Sequence, residues 1–227
     1  MGVDKPPPKP TTTPPPFLYR ITSLDATISH SIHTFTSPHA PKQFLRFLEH
    51  LADFRLFFPV TLSLFLATPP LSPLRPHLFL PLLICSILDL IFIGFTKFLV
   101  RRSRPLYSIH GDYNAVVPVD KFSFPSGHSS RVCFIASIFS LSRDWIVDAV
   151  NHPSHPRIAV FVERWIGGDE VMAVNLLVVL VWCWALTTVI SRVVLGRHYV
   201  LDVIVGACFG VLEALITLRF LNFSVLI

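Results

Sequence analysis

The chain has 227 residues, 52% of them hydrophobic and only 15% charged, with a mean hydropathy of +0.60 and a formal charge of +5. Soluble domains carry about 25% charged residues, so this balance excludes an ordinary water-soluble domain and points to an integral membrane protein. A nucleic-acid partner is not expected either, because the lysines and arginines gather at the ends of apolar runs and form no basic face with interleaved aromatics.

Residues 1–20 read as a disordered tail, with Pro6, Pro7, Pro8, Pro10, Pro14, Pro15 and Pro16 among threonines and lysines. Such a composition buries too little apolar surface to order itself. Residues 21–50 read as an amphipathic surface segment. From about Thr22 to Thr36, Leu24, Ile28 and Ile32 recur on one helical face, and the stretch is too polar to span a bilayer.

Residues 51–220 read as the membrane domain, an all-α polytopic bundle of about five spanning helices. The candidates run from about Phe54 to Leu71, His77 to Val100, Gly127 to Trp145, Val171 to Ile190 and Tyr199 to Phe220. Each is a continuous apolar run, as a spanning helix of roughly 20 residues requires. The first two form a hairpin around Pro69, Pro70, Pro73 and Pro76. Between the third and fourth, RIAVFVERWIG reads as an interfacial helix anchored by Trp165. Cys85, Cys133, Cys183 and Cys208 all fall within apolar helices, where thiols act as small hydrophobes, so neither a disulfide nor a metal site is expected.

Three clusters of polar residues stand where apolar runs begin or end, and counting crossings places all three on one membrane face. Lys97 and Arg104 are seven residues apart, two helical turns, so both project from one face as the second helix ends. Together they can grip one anion, Arg with a planar fork and Lys with a point charge; an ordinary positive flank of a spanning helix also fits. Ser126 and Gly127 precede an apolar run, so they can form a helix N-terminus whose backbone N–H groups bind phosphate, with His128 in reach to donate a proton. A plain cap beside an interfacial histidine is the simpler alternative. His198 and Asp202, four residues apart at the fifth helix, can stack on one face. The carboxylate can then hold one imidazole nitrogen and leave the other free to attack, with Arg192 adding a phosphate donor. A buried ion pair of Asp202 with a neighbouring helix is the alternative there.

In order and spacing, Lys-x6-Arg-Pro at 97–105, Pro-Ser-Gly-His at 125–128 and Ser-Arg-x5-His-x3-Asp at 191–202 resemble the three-part signature of the type 2 phosphatidic acid phosphatase superfamily. The likeness covers roughly residues 45–220. The text RRSRP and VDKFSFPSGHSSR is most similar to the small lipid phosphate phosphatases, the subgroup holding the plant beta-type enzymes and the presqualene and polyisoprenoid diphosphate phosphatases. The resemblance implies a lipid phosphatase acting on phosphate monoesters or diphosphates. His198 would form a phosphohistidine, Asp202 would orient it, and His128 would protonate the leaving oxygen and later activate water. Lys97, Arg104, Arg192 and the backbone of Ser126 and Gly127 would hold the phosphoryl group. Neither a metal nor another cofactor is required by that scheme.

Relatives on this pattern usually have six spans, against the five found here. The active face and N-terminal segment hold 14 of the 19 lysines and arginines, leaving 11 against 5 once Lys97, Arg104 and Arg192 are set aside. That bias points to a cytosolic active face, and the expected location is the endoplasmic-reticulum membrane. Two other classes share the signature, vanadate-dependent haloperoxidases, which are soluble, and a catalytically silent lipid-binding scaffold. Arg101, Arg102 and Arg131 offer extra charge for a diphosphate, and Asp89 and Glu213 are intramembrane acids without an assigned role. The sequence sets neither the lipid nor the oligomeric state.

Overall fold

A computed structural model describes residues 16–107, 121–153 and 155–220. Among the described residues nine α-helices follow in order: α1 (Pro16–Thr36), α2 (Lys42–Leu51), α3 (Phe54–Ala67), α4 (Leu80–Val100), α5 (Gly127–Leu141), α6 (Arg143–Val150), α7 (Pro156–Ile166), α8 (Glu170–Val194) and α9 (Val200–Phe220). A π-turn, Arg75–Phe79, leads into α4. Among the described residues the sole extended pairing is one bridge between Ser103 and Phe122.

Among the described residues three helices are long and apolar enough to cross a bilayer, Arg75–Val100, Glu170–Val194 and Val200–Arg219, and the bent pair α2–α3 makes a fourth if it counts as one span. The first expected span is shorter than its apolar text, because α3 stops at Ala67 ahead of the proline cluster. The expected third span also divides, since α5 ends at Leu141 and α6 starts after Ser142. At about 1.5 Å per residue, the 15 residues of α5 reach about 22 Å, short of a hydrocarbon core of about 30 Å. Its first third, Gly127-His128-Ser129-Ser130-Arg131, is polar and sheathed by protein. The helix therefore has no need to match lipid.

The close partner of α5 is α9. A Cβ at Gly206 would stand 2.4 Å from the Ser126 carbonyl oxygen, and one at Gly210 would stand 2.0 Å from that of Ser130. Only glycine permits these approaches, and the Gly-x-x-x-Gly spacing puts both on one face. Below them, Leu82, Phe134, Ile138, Ile146, Val174 and Ala214 form the apolar core.

The α2–α3 pair bends by 50° at Ala52–Asp53. Asp53 caps α3 by accepting from the Arg55 amide at 2.9 Å. Arg131 of α5 donates to the Ala52 carbonyl at 3.1 Å and to Asp89 of α4 at 2.8 Å, which gives one of the two intramembrane acids a structural partner. The interfacial helix expected near Trp165 is α7, closed by Gly167 at φ 73° with Trp165 exposed.

Helix α1 begins at Pro16, inside the stretch assigned to the tail, while residues 1–15 lie outside the described residues. Its apolar face, Phe17, Leu24, Ile28 and Phe35, points outward, and Asp25 and Ser29 are buried against α8 and α9. It is more than a surface segment, since its polar side faces into the protein.

Candidate active site

The site forms where α4 ends, α5 starts and α8 turns into α9. Arg101 closes α4 in a left-handed conformation at φ 52°, its amide donating to the Lys97 carbonyl at 2.9 Å. Its guanidinium donates to the Phe98 carbonyl at 2.8 Å and rests on the Phe98 ring, contacts that offset the cost of this conformation. Lys97 is buried in the last turn of α4. The chain then runs through Arg104 toward the α8–α9 turn, where Arg104 donates to the Arg197 carbonyl at 2.9 Å.

Ser126 caps α5, its hydroxyl accepting from the Ser129 amide at 3.4 Å and the Ser129 hydroxyl at 3.0 Å. The Ser126 amide, expected to face an anion, instead donates to the Asp202 carbonyl at 3.0 Å. His128, in the first turn, is partly buried and lies within electrostatic reach of His198, Arg192 and Lys97.

Helix α8 continues four residues past the expected Ile190 and so carries Ser191 and Arg192 within its last turn. The turn that follows closes with Gly196 at φ 68°, and the amides of Arg197 and His198 both donate to the Arg192 carbonyl, at 2.9 and 3.2 Å. His198 therefore precedes α9, which begins at Val200, and does not stack on Asp202 within the helix as expected. His198 Nδ1 bonds the Ser123 carbonyl at 2.7 Å, whereas the nearest Asp202 oxygen is 3.8 Å away. Asp202 is occupied by the Tyr199 amide at 2.9 Å and by Arg102 at 2.7 Å.

A carbonyl only accepts, so Nδ1 carries the proton and Nε2 presents its lone pair. Nε2 faces Arg104 at 3.4 Å. Burial, reinforced by the charges of Arg104, Arg192 and Lys97, holds the His198 imidazole well below the ordinary histidine range, against the opposing pull of the Ser123 bond. The ring is neutral at physiological pH and able to act as a nucleophile.

Arg192 is 0% exposed and pairs with Glu49 of α2 at 2.5 Å. Its Nε and Nη2 have no hydrogen-bond partner among the described residues. Buried donors of this kind are costly unless they meet an acceptor, and a tetrahedral oxyanion is the acceptor that suits a guanidinium fork. Arg102 and Arg131, candidates for a second phosphate, are instead committed to carboxylates: Arg102 to Asp25 and Asp202, Arg131 to Asp89. No group of three or more metal-ligating side chains occurs among the described residues.

His198 thus lies among the cations Lys97, Arg104 and Arg192, beside the capped start of α5. The model of the PAP2 superfamily matches residues 78–225, which include all three clusters. The chain belongs to this family. It is 44% identical over 212 residues to the probable lipid phosphate phosphatase beta of Arabidopsis thaliana, covering 93% of this chain and 95% of that protein. The fold is similar to that of the PAP2-type phosphatidylglycerolphosphate phosphatase of Bacillus subtilis, with a TM-score of 0.65 over 88% of this chain and 86% of that one at 21% identity. It is also similar to LpxE of Aquifex aeolicus, with a TM-score of 0.54 over 87% and 96% at 20% identity.

Within this PAP2 site, four residues were not singled out from the sequence for the parts they play. Ser123, Asp25 and Glu49 act through contacts remote in the chain, and Arg102 hides beside two other arginines in RRSR. The spacing of Gly206 and Gly210 was a visible signal for the α5–α9 contact.

Proposed function

We propose that this PAP2 protein is an integral membrane lipid phosphatase that hydrolyses lipid phosphate monoesters or diphosphates through a phosphohistidine on His198. The observation that carries this reading is the locked tautomer: Nδ1 donates to Ser123 and Nε2 is left facing Arg104 among three cations. The name of the Arabidopsis relative supports a lipid phosphate as substrate.

In this mechanism Nε2 attacks phosphorus in line with the ester oxygen, the P–O bond to the lipid breaks, and His128, protonated once the bound phosphate offsets the surrounding cations, delivers its proton to the departing oxygen. Neutral His128 then removes a proton from water as the water attacks phosphorus. The P–N bond breaks, and inorganic phosphate and free His198 result. Lys97, Arg104 and Arg192 stabilise the charge that builds on the phosphoryl oxygens, a task that metal ions perform in other phosphoryl-transfer sites. The Ser126 amide is taken by Asp202, so the helix-end contribution passes to the amides of Gly127 and His128. Asp202, at 3.8 Å, acts by its charge, stabilising the cationic ring of the intermediate.

The lipid tail enters from the bilayer beside the exposed apolar helices. The bias of basic residues toward the active face supports a cytosolic orientation, and the membrane we propose is that of the endoplasmic reticulum.

Purified protein in detergent is expected to release phosphate from phosphatidate or from isoprenyl diphosphates in the presence of EDTA, and His198→Ala to abolish the release. Turnover retained in that variant would refute the assigned nucleophile. A lipid-binding signal with no phosphate release from any lipid of the panel would favour the silent scaffold, and peroxidase activity with added vanadate the haloperoxidase class.

A further inference from the structure

Helix α9 starts without a cap of its own. The residue before its first turn is Tyr199, whose ring offers no short acceptor to the orphan amides of a helix N-terminus. Asp202, in the first turn, reaches back to the Tyr199 amide. The next two amides are met from α1, more than 170 residues away: Ser29 Oγ accepts from Val200 at 2.9 Å, and Asp25 Oδ1 accepts from Leu201 at 3.0 Å. The other end of the same turn is held by α1 too, where His33 Nδ1 donates to the Val194 carbonyl of α8 at 2.8 Å. The His33 ring also lies on Gly196, where a Cβ would stand 3.2 Å from it.

Asp25, Ser29 and His33 are spaced four apart, so they form one polar stripe along α1. That stripe grips both ends of the five-residue turn between α8 and α9, and His198 is in this turn. Asp25 has a second grip, since Arg102 bridges Asp25 Oδ2 and Asp202 Oδ1 at 2.7 Å each. All three side chains of this bridge are largely or fully buried.

We propose that α1 is a strap of the active site, with Asp25 and Ser29 as positioning residues that fix the turn presenting His198 Nε2. The proposal rests on the reading of His198 as the nucleophile. Neither residue touches substrate. Each acts through backbone amides of α9, and Asp25 also through Arg102 and Asp202. A displacement of about 1 Å at a reacting atom can cost a hundredfold in rate, so loosening the strap acts on the chemical step and not on capture of the lipid phosphate.

The test uses the full chain in detergent micelles with a phosphatidate of defined acyl length, comparing Ser29→Ala, Asp25→Asn and His198→Ala for kcat, KM and thermal midpoint. Ser29→Ala is expected to lower kcat by about tenfold and Asp25→Asn by up to about a hundredfold, both with KM within about twofold. If Asp25→Asn yields no folded protein, Ser29→Ala decides, because it removes one acceptor and no charge. Wild-type kcat in the variants, or a loss no larger than the loss of folded protein, overturns the strap. If that happens while His198→Ala is inactive, the strap alone falls; turnover in His198→Ala removes the nucleophile assignment instead.

Discussion

The Ser123 carbonyl and His198 Nδ1 are 2.7 Å apart, and this backbone contact fixes the imidazole that the Asp202 carboxylate was expected to orient. Asp202→Asn should therefore be milder than in triads where the carboxylate bonds the histidine directly, where the equivalent change costs about 10⁴ in kcat. A fall of about ten- to hundredfold is expected, from the lost charge beside the ring and the weakened Arg102 bridge. Phosphate release at saturating lipid measures it, and inactivity equal to that of His198→Ala would show that Asp202 closes on Nδ1 when substrate binds.

The neutral state of His198 should appear in the pH profile. Its imidazole is held below the ordinary value by burial and then by Arg104, Arg192 and Lys97, so the acid limb of kcat/KM belonging to this group lies below about pH 6.5. Lys97→Met removes one of the repelling charges, and the limb should move up toward the ordinary value while the rate falls. Measuring both proteins on one substrate cancels the ionisation of the lipid phosphate. The same depression has a stability consequence with a definite sign. Below about pH 6.5 the unfolded imidazole binds a proton that the folded one refuses, so the fold loses stability as pH falls through that value.

Glu49 is the counter-charge of buried Arg192. Glu49→Ala leaves the guanidinium without its carboxylate, a loss of about 3–5 kcal/mol for a buried pair broken on one side. The thermal midpoint in detergent should fall accordingly. Orthovanadate, a mimic of five-coordinate phosphorus, should raise the midpoint more in Glu49→Ala than in the wild type, because the anion restores the missing negative charge. It should also inhibit phosphate release by the wild type. An equal vanadate shift in both proteins would place the bound anion away from Arg192.

Gly206→Ala would drive a methyl group to within 2.4 Å of the Ser126 carbonyl oxygen, a distance that backbone cannot tolerate. The start of α5 must move away from α9, carrying Ser126 and His128 with it and stretching the bond between the Ser126 amide and the Asp202 carbonyl. Overpacking of this kind costs about 1–3 kcal/mol, and the loss of kcat should exceed the loss of folded protein. Gly94→Ala is the control, since a Cβ there meets nothing within 4 Å.

How much of this was legible in the sequence follows from the range over which each feature is determined. Lys97, Arg104, His128, Arg192 and His198 could be read because local spacing and the boundary between apolar and polar text place them at helix ends. The position of His198 relative to Asp202 could not, because it depends on where α9 starts, and that is set by Ser29 and Asp25 from 171 and 176 residues away. The apolar face of α1 was visible in Leu24 and Ile28, yet what its polar face touches is a tertiary fact. The break after α5 had a local signal, Ser142-Arg143-Asp144 following Leu141, but the hydrogen bond from Ser142 Oγ to the His77 carbonyl, at 2.6 Å, that secures it is a tertiary contact.

Arg131 sits one helical turn beyond His128, with one guanidinium nitrogen on the carbonyl left open at the α2–α3 break and another on Asp89 of α4. A charged group inside the apolar bundle thereby works as a hinge pin. Neither α2 nor α4 can slide along α5 without stranding a cation, an acid or a bare carbonyl away from water. The arm that brings Glu49 to Arg192 and the helix that carries His128 are thus mechanically one piece.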